Sequence, residues 1–340
     1  MLVLGIESTC DETGAAVVKQ GKEIFSNVVA SQHDIHSKFG GVFPELASRR
    51  HVETMIPVID EALNKAKVTL QEIDLIAVAN GPGLVGALLM GLNAAKTLAF
   101  SLKKPFIGIN HVEAHLYAAI MSSPAPPPFP CLGVVLSGAH TSLVYMPEMG
   151  RYELLGQTID DAIGEAFDKV AKVMGLPYPG GPKIEALARR GDPDRYPFKA
   201  GKVKGKPFHF SFSGIKTGVL YTVKGQNGGI VDGDVIAASD KPDIAASFQQ
   251  TVFSDVISKT VKAAKNSRSQ SIVFGGGVTN NRRLREMFSE AVPPCQLYWP
   301  SEGLSLDNAA MIAGLGYHCY RHKELGDHLD LEALPRIGFH

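Results

Sequence analysis

The sequence has few cysteines, no excess of either charge and no long uninterrupted hydrophobic run. The four cysteines form no C-x-x-C pair and lie far apart, at Cys10, Cys131, Cys295 and Cys319. This spacing excludes a disulfide framework and a zinc ribbon, and it favours a reducing cytosol. The 34 basic and 34 acidic residues cancel, which excludes a general nucleic-acid coat but is compatible with a local basic patch.

Signals for export or membrane insertion are also weak. The N-terminal stretch MLVLGIESTCDET becomes acidic too early for a signal peptide. The most apolar segment runs from Leu84 to Phe100, but it contains Asn93, Lys96 and many small residues. We therefore expect a buried helix there rather than a membrane span, and a cytoplasmic protein.

The chain has enough apolar residues, 45% of 340, for sizeable cores and about two domains. The proline-rich stretch PAPPPFP at 124–130 favours a stiff linker, with a surface loop inside one domain as the alternative. We predict a first lobe at 1–123 that is completed by 308–340, then this linker, and a second lobe at 131–307.

A weak internal repeat relates the two halves. Leu4 to Val18 (LGIESTCDETGAAVV) and Leu132 to Met146 (LGVVLSGAHTSLVYM) each predict two apolar strands joined by a Ser/Thr/Gly turn. Later, DLIAVANGPG and SIVFGGGVTNN each predict a strand that ends in glycines before a helix, which leaves helix N–H groups available to an anion. The repeat predicts an α/β protein of two related lobes with a cleft between them.

Amphipathic helices are predicted between these strands. One apolar face consists of Met55, Ile59, Ala62 and Leu63. A second, on a helix predicted from Asp161 to Met174, consists of Ile163, Phe167, Val170 and Met174. The opposite face of this second helix carries Asp161, Glu165 and Asp168, either as a solvated face in which Lys172 pairs with Asp168 or as a site for ligand hydroxyls.

The two hairpin turns carry different chemistry. The first, Glu7 to Thr13, contains the adjacent carboxylates Asp11 and Glu12, which imply a metal, a water to activate or a basic partner if the turn is more than a polar hairpin. The second, Ser137 to Thr141, combines small residues with hydroxyls and a histidine, which suits close backbone approach to a ligand.

A histidine pair suggests a metal site. On a helix capped by Asn110, His111 and His115 would share one face, as metal ligands require. The pair is not the protease motif H-E-x-x-H, because Glu113 would point about 200° away from His111. Asp307 could supply a third ligand or serve as a helix N-cap. A second pair, His318 and His322, is interpreted as solvated and helix-terminal.

A basic and aromatic segment is a candidate RNA surface. Its residues are Lys199, Lys202, Lys204, Lys206 and Lys216 with Phe208, Phe210 and Phe212. Lysines suit phosphates and exposed aromatics suit unstacked bases. A lysine-rich loop that leads into an apolar strand explains the segment equally well, and we therefore rest the RNA hypothesis on the lysines and not on the aromatics.

Together these segments closely resemble the signatures of the TsaD family of bacterial tRNA threonylcarbamoyladenosine synthase subunits. The matching stretches are collinear over nearly the whole chain: GIESTCDET, GGVFPELASRRH, GPGLVGALLMG, NHVEAHL, SGAHTSL, DDAIGEAFDKVAKVMGLPYPGGP, FSFSGIKTG, GGGVTNNRRLR and LDNAAMIA. The sequence departs from the family where Ala139 and Ala309 replace usual glycines and where EST replaces ETS in the first turn.

The resemblance implies the fold of the actin, Hsp70 and sugar-kinase superfamily. It implies transfer of a threonylcarbamoyl group from threonylcarbamoyl-adenylate to N6 of the adenosine beside the anticodon, in tRNAs reading codons that begin with A, with release of AMP. It also implies a TsaB-like paralogue and a TsaE-like ATPase as partners, and no membrane. Rival functions are a metallopeptidase (an older label of the family), a sugar-kinase-like ATPase and a nucleotide-binding scaffold.

The resemblance further implies three groups of site residues. The ligands of one divalent metal, iron or zinc, are His111, His115 and Asp307. The acidic pair of the first turn, Asp11 and Glu12, is implied to be catalytic. The substrate-binding set is Val135, Leu136, Ser137, Gly138, Ala139, Asp168, Gly181, Glu185 and Asn281, where Asn281 would help to hold the AMP part.

Overall fold

The computed structural model describes residues 1–36, 41–225, 236–291 and 295–339. The strands are β1 (Leu2–Glu7), β2 (Glu12–Lys19), β3 (Glu23–Ser31), β4 (Leu75–Gly81), β5 (Phe106–Asn110), β6 (Cys131–Leu136), β7 (Thr141–Glu148), β8 (Arg151–Gln157), β9 (Ser271–Gly275) and β10 (Gln296–Tyr298). The α-helices are α1 (His33–His36), α2 (Pro44–Ala66), α3 (Val85–Leu102), α4 (His111–Ser122), α5 (Ile163–Val173), α6 (Gly180–Ala188), α7 (Ser213–Lys224), α8 (Lys241–Asn266), α9 (Arg282–Ala291) and α10 (Ala309–Lys323). Short 3-10 helices cover Leu70–Glu72, Ala238–Asp240 and Gly277–Asn280.

The two sheets have the same strand order, which confirms the internal repeat. One five-stranded sheet runs β3-β2-β1-β4-β5 and the other, read in the same direction, β8-β7-β6-β9-β10. In each, the first strand of the repeat pairs antiparallel with the next strand and parallel with the strand after the intervening helices. The predicted α/β class is therefore correct, and each predicted hairpin forms the centre of one sheet.

The chain divides into two compact units. Unit 1 contains Met1–Pro127, Met149–Arg151 and Tyr298–His340, and unit 2 contains Pro128–Glu148 and Tyr152–Leu297. Each unit holds the greater part of one sheet. Residues 298–307 group with unit 1, and the domain limits drawn from the sequence stay a prediction.

The sheet of unit 1 is covered by helices on both faces. Leu4 and Ile6 of β1 join a buried cluster that contains the predicted face of α2, including Met55 and Ile59. Gly5 lies between them and faces α10, because side chains alternate along a strand. A Cβ atom at Gly5 would overlap the carbonyl oxygen of Ala309 and come within 2.8 Å of the Ala313 nitrogen. Helix α10 therefore lies directly on the β1 backbone.

Helix α3 corrects one expectation. It is long and apolar enough to cross a membrane by length and composition, and 33% of it is buried. One face, which includes Leu88 and Leu92, is buried, whereas Val85, Leu89 and Phe100 are exposed. The expected buried helix is therefore buried on one side only.

The second predicted amphipathic helix is shorter than expected in unit 2. Helix α5 begins at Ile163 rather than Asp161 and ends at Val173. The four predicted apolar residues, Ile163, Phe167, Val170 and Met174, are all buried. Phe167 stacks on Phe253 with ring centroids 5.5 Å apart, so this face joins the core formed with α8.

Gly5→Ala tests the contact between β1 and α10. We expect the added methyl group to displace α10 and to lower the free energy of unfolding by about 1–3 kcal/mol, measured by denaturant titration. Gly214→Ala is the control, because a Cβ at Gly214 meets no atom within 4 Å. Equal stability of both variants would contradict the close packing of α10 on β1.

Candidate metal centre and ligand-binding turns

Helix α4 carries both histidines of the predicted pair. It begins directly after β5, and the Asn110 side chain accepts hydrogen bonds from the backbone nitrogens of Val112 and Glu113. The predicted cap is therefore correct. The imidazoles of His111 and His115, one turn apart, lie with ring centroids 4.7 Å apart, and both residues are buried.

The chain brings Asp307 to the same place. One carboxylate oxygen of Asp307 lies 3.2 Å from Nε2 of His115 and 3.6 Å from Nε2 of His111. The alternative role of Asp307 as a helix N-cap is wrong, because Asn308 is the N-cap of α10 and accepts from the Met311 nitrogen. The segment just before α10 thus supplies the predicted third ligand.

These three side chains fit a metal ion. Their potential ligand atoms all lie within 4.8 Å of one another. Both ring nitrogens of His115 are buried, and neither makes a hydrogen bond to the described residues, because the 3.2 Å contact of Nε2 with Asp307 lacks hydrogen-bond geometry. An imidazole buried without partners loses the hydration of both nitrogens, and a cation held together with Asp307 would compensate this loss. Two imidazoles and one carboxylate are donors that iron and zinc accept.

Glu7 orients one of the candidate ligands. The Nδ1 atom of His111 lies 2.9 Å from the Glu7 carboxylate, to which it donates, and 3.3 Å from the Thr9 hydroxyl. The other Glu7 oxygen accepts from the Thr9 nitrogen at 2.6 Å. This arrangement leaves Nε2 of His111 to face Asp307, as in metal sites in which a carboxylate holds the distal ring nitrogen. Glu7 was not among the predicted site residues.

Negative charge accumulates around the two histidines. Burial lowers the pKa of His111, but the charges of Glu7 and Asp307 outweigh burial and raise it to about 9. Burial, Asp307 and Asp11, in that order, raise the pKa of Glu12 to about 10. The acidic pair of the first turn thus lies close enough to Asp307 to interact electrostatically, and a cation would relieve the crowding.

Cys10 is not activated as a nucleophile. It precedes the acidic pair, and burial and the charge of Asp11 raise the pKa of its thiol well above the usual value. The nucleophilic thiolate is therefore disfavoured.

In unit 2, the second hairpin turn contacts the start of α5. The Gly164 nitrogen donates to the Ser137 carbonyl at 3.1 Å, and the Ile163 nitrogen donates to the Thr141 hydroxyl at 2.8 Å. A Cβ at Gly164 would lie 2.8 Å from the Gly138 Cα, so the helix start requires a glycine there. Val135 and Leu136 are buried in β6, whereas Gly138 and Ala139 are exposed at the tip of the turn.

The remaining residues of the substrate-binding set are linked through α6 and α9. The Asp168 carboxylate accepts from the Gly180 nitrogen at 2.7 Å, and Glu185 accepts from the Arg282 nitrogen at 3.1 Å. Asn281 caps α9 by accepting from the Leu284 nitrogen and donates to Gln249. A cavity of about 370 Å³ is bordered by Glu185, Arg189, Gln249, Gln250, Arg282 and Arg283. Glu185 and Asn281 thus lie at one cavity: Glu185 lines it, and Asn281 hydrogen-bonds to Gln249, which also lines it.

The acidic residues before and on α5 have structural partners. Asp161 lies before the helix and accepts from Lys169 at 2.5 Å and from Lys216 at 2.7 Å. Glu165 pairs with Lys169 at 2.8 Å. Asp161 is therefore not on the helix as predicted, although it still lies near Glu165 through their shared partner Lys169, and its contact with Lys216 joins α5 to α7.

The aromatic half of the candidate RNA surface is largely core. Phe210 and Phe212 have no exposed surface and stack with centroids 5.9 Å apart, which excludes them from base stacking. Four of the five lysines are exposed: Lys199, Lys202, Lys204 and Lys206. Lys216, which pairs with Asp161, is half-buried. The hypothesis of an RNA-binding surface therefore rests on the lysines alone.

Comparison with known proteins shows which family the chain belongs to. Residues 23–314 match the model of the TsaD family, described as tRNA N6-adenosine threonylcarbamoyltransferase. The chain belongs to this family. A protein of that name from Protochlamydia amoebophila is 62% identical over 336 residues, covering 99% of this chain and 98% of the relative. Another, from Bacillus subtilis, is 48% identical and covers 93% of this chain and 90% of the relative.

Solved structures of low identity show the fold. Full-length HypF, in a phosphate- and nucleotide-bound form, matches 95% of this TsaD-family chain and 46% of its own with a TM-score of 0.60 at 15% identity. Component A of (R)-2-hydroxyglutaryl-CoA dehydratase from Acidaminococcus fermentans matches 95% of this chain and 99% of its own with a TM-score of 0.53 at 14% identity. With the two identically ordered sheets, these matches confirm the predicted α/β fold class and its duplicated sheet.

His115→Ala tests the metal centre of this TsaD-family protein. We expect the variant to lose most of its bound metal, because two ligands remain of three, while its circular dichroism spectrum is unchanged. Metal analysis of purified protein by mass spectrometry gives the measurement.

His318→Ala serves as the control for this experiment. His322 is exposed, as expected, but His318 is half-buried and packs on Tyr117 at a centroid distance of 5.2 Å. The control therefore also removes a packed imidazole. An unchanged metal content in His115→Ala, or an equal loss of metal in His318→Ala, would refute the assignment of His115 as a metal ligand.

Proposed function

We propose that this chain transfers the threonylcarbamoyl group of threonylcarbamoyl-adenylate to N6 of the adenosine beside the anticodon of tRNA, with release of AMP. The family and its relatives support the transferase activity and a tRNA substrate. The observation that carries the proposal is the convergence of His111, His115 and Asp307 beside the acidic first turn.

In the proposed reaction, the N6 amine attacks the carbamoyl carbonyl, a carbon–nitrogen bond forms, and the bond from that carbon to the AMP phosphate oxygen breaks. The mixed anhydride already has a good leaving group, so positioning dominates the rate. Asp11 and Glu12 are proposed to form the catalytic acidic pair: Glu12, whose pKa of about 10 keeps it protonated, would hydrogen-bond to Asp11, and Asp11 would take the proton that the amine loses. His111, His115 and Asp307 would hold one divalent ion, iron or zinc, which when bound supplies a Lewis acid for the threonyl carboxylate or hydroxyl.

The adenylate is proposed to use the turns of unit 2. The exposed backbone of Gly138 and Ala139 can approach a ligand closely, although the Ala139 methyl narrows that approach relative to the glycine usual in the family. Glu185 and Asn281, at and beside the cavity of about 370 Å³, are proposed to hold the AMP part together with Asp168 and Gly181.

The metallopeptidase alternative lacks the general base that the H-E-x-x-H motif would place beside the two histidines. Glu113 follows His111 by two residues on α4, so its side chain leaves the helix about 200° around from that of His111. A peptidase needs a carboxylate beside the water on the metal. We find no feature of the described residues that favours the kinase-like alternative over transfer.

Partner proteins are part of the proposal. A TsaB-like paralogue and a TsaE-like ATPase are expected, the protein is expected in the cytoplasm, and no membrane is involved. Exposed apolar side chains on α2 and α3 form a candidate docking surface for the paralogue: Val52, Ile56, Val85, Leu89 and Phe100. Apolar groups concentrated on a surface favour burial against a partner.

The transfer activity can be tested directly. Purified protein with its partners, threonylcarbamoyl-adenylate and tRNA should produce AMP and modified adenosine in equal amounts, measured by chromatography of a nucleoside digest. Parallel incubations with ATP and a sugar panel, and with casein, test the rival activities. Modified nucleoside that does not exceed a tRNA-free blank, or hydrolysed casein, would contradict the proposed function.

The lysine segment predicts where tRNA binds. Replacing Lys202, Lys204 and Lys206 together by Gln should weaken tRNA binding and flatten its salt dependence, since each lost phosphate contact reduces the slope by about 0.9. The same replacement of the exposed Lys103, Lys262 and Lys265 is the control. Filter binding over a salt series measures both slopes. An unchanged slope in the first variant would show that tRNA binds elsewhere than at this lysine segment.

A further inference from the structure

A histidine that the proposed reaction does not use connects to both ends of the acidic pair. His51 lies on α2 and is fully buried. Its Nε2 atom is 3.0 Å from the carbonyl oxygen of Cys10, and its Nδ1 atom is 2.8 Å from the hydroxyl of Thr13. Cys10 directly precedes Asp11 and Thr13 directly follows Glu12, so one imidazole spans the two carboxylates.

The hydrogen bonds fix the tautomer of this ring. A carbonyl oxygen can only accept, so Nε2 carries the proton and donates to Cys10. Burial lowers the pKa of His51, which favours the neutral ring, and Nδ1 then accepts from the Thr13 hydroxyl. The Thr54 hydroxyl lies 2.8 Å from the Thr13 hydroxyl and 2.9 Å from the Arg50 carbonyl oxygen, and it can donate its one proton to either of them. Both ring nitrogens of His51 are therefore engaged by one loop.

The acidic pair needs such a restraint. Asp11 is buried and the carboxyl of Glu12 is desolvated and repelled by Asp307 and Asp11. Ionisation of Glu12 at this place would favour movement of the loop towards water. Backbone contacts hold the loop at the Asp11 carbonyl, which accepts from the Gln32 nitrogen at 3.2 Å, and at the Thr9 carbonyl, which accepts from the Leu84 nitrogen at 2.8 Å. His51 adds the side-chain contacts that hold the segment on both sides of the pair.

We infer that His51 is a positioning residue of the transfer reaction, which holds Asp11 and Glu12 in place by bridging the Cys10 carbonyl and the Thr13 hydroxyl. The inference rests on the proposed role of the acidic pair. A residue that only filled the core at this point could be apolar, whereas an imidazole with a donor at one nitrogen and an acceptor at the other satisfies two polar groups of the same loop.

The inference predicts coupled effects on catalysis. His51→Ala should lower kcat by about 10²-fold, because a displacement near 1 Å is enough for such a loss, with little change in KM for tRNA or in metal content. In a Glu12→Gln background, His51→Ala should lower kcat by less than about threefold further. The reason is that residues that act through one another do not have additive effects on the activation free energy. His318→Ala, which removes another packed imidazole of unit 1, should not be coupled to Glu12→Gln.

The alkylation rate of Cys10 measures how firmly the loop is held, without any activity assay. If His51 holds the loop, His51→Ala should raise the rate at which iodoacetamide alkylates Cys10, followed by mass spectrometry, and His318→Ala should not. Thr13→Val, which keeps the shape of the side chain and removes the bridging hydroxyl, should reproduce part of both effects. A thermal denaturation curve of each variant, compared with that of the unchanged protein, shows that the compared proteins are folded.

The outcomes separate the two proposals. If Asp11→Asn and Glu12→Gln both keep full activity, the catalytic role of the pair is wrong and the role of His51 falls with it. If these variants are impaired but His51→Ala has normal kcat, or its effect multiplies fully with that of Glu12→Gln, only the inference about His51 is overturned. Should His51→Ala not fold, an unchanged kcat and an unchanged Cys10 alkylation rate in Thr13→Val overturn it.

Discussion

The candidate metal site depends on the direct packing of helix α10 against strand β1. Gly5 has no side chain, and any larger residue would overlap the Ala309 carbonyl. This close approach places Asp307, just before the helix, 3.2 Å from His115. The two residues are far apart in the chain, so the ligand set exists only when this one backbone contact has formed. The packing of α10 on β1 therefore both fills the core and positions Asp307.

A second constraint is the burial of charge around that contact. Glu7 and Asp11 are buried, and Glu12 is desolvated, beside two imidazoles and Asp307. Removing carboxylates from water is costly unless opposite charge or hydrogen bonds compensate. Hydrogen bonds from His111 and from the Thr9 nitrogen compensate the burial of the Glu7 carboxylate. The charged form of Glu12 is disfavoured in the same surroundings, which raise its pKa to about 10. The arrangement is therefore one that a bound cation stabilises, and the Asp-Glu turn is held in register by contacts from α2.

The parts that local patterns determine were predictable from the sequence. The repeated hairpins, the helix that carries His111 and His115 and its Asn110 cap all depend on residues close together in the chain. Contacts between distant segments were not predictable from spacing alone. Glu7 and His51 look unremarkable in the sequence, because their roles arise only when β1, α2 and α4 pack together. Phe210 and Phe212 alternate as strand residues do, but only tertiary packing decides that both are buried.

The repeat explains why one fold carries two kinds of chemistry. In both units a hairpin turn follows the first strand of an identically ordered sheet. In unit 1 the turn is acidic and lies beside imidazoles, which suits a cation and proton transfer. In unit 2 the equivalent turn is small and exposed at Gly138 and Ala139, and a glycine at the start of α5 lets the helix approach it closely, which suits the backbone contacts that an anionic ligand requires. Because the sheet order is set by the apolar strands and not by the turns, each turn could diverge without disturbing the core that supports it.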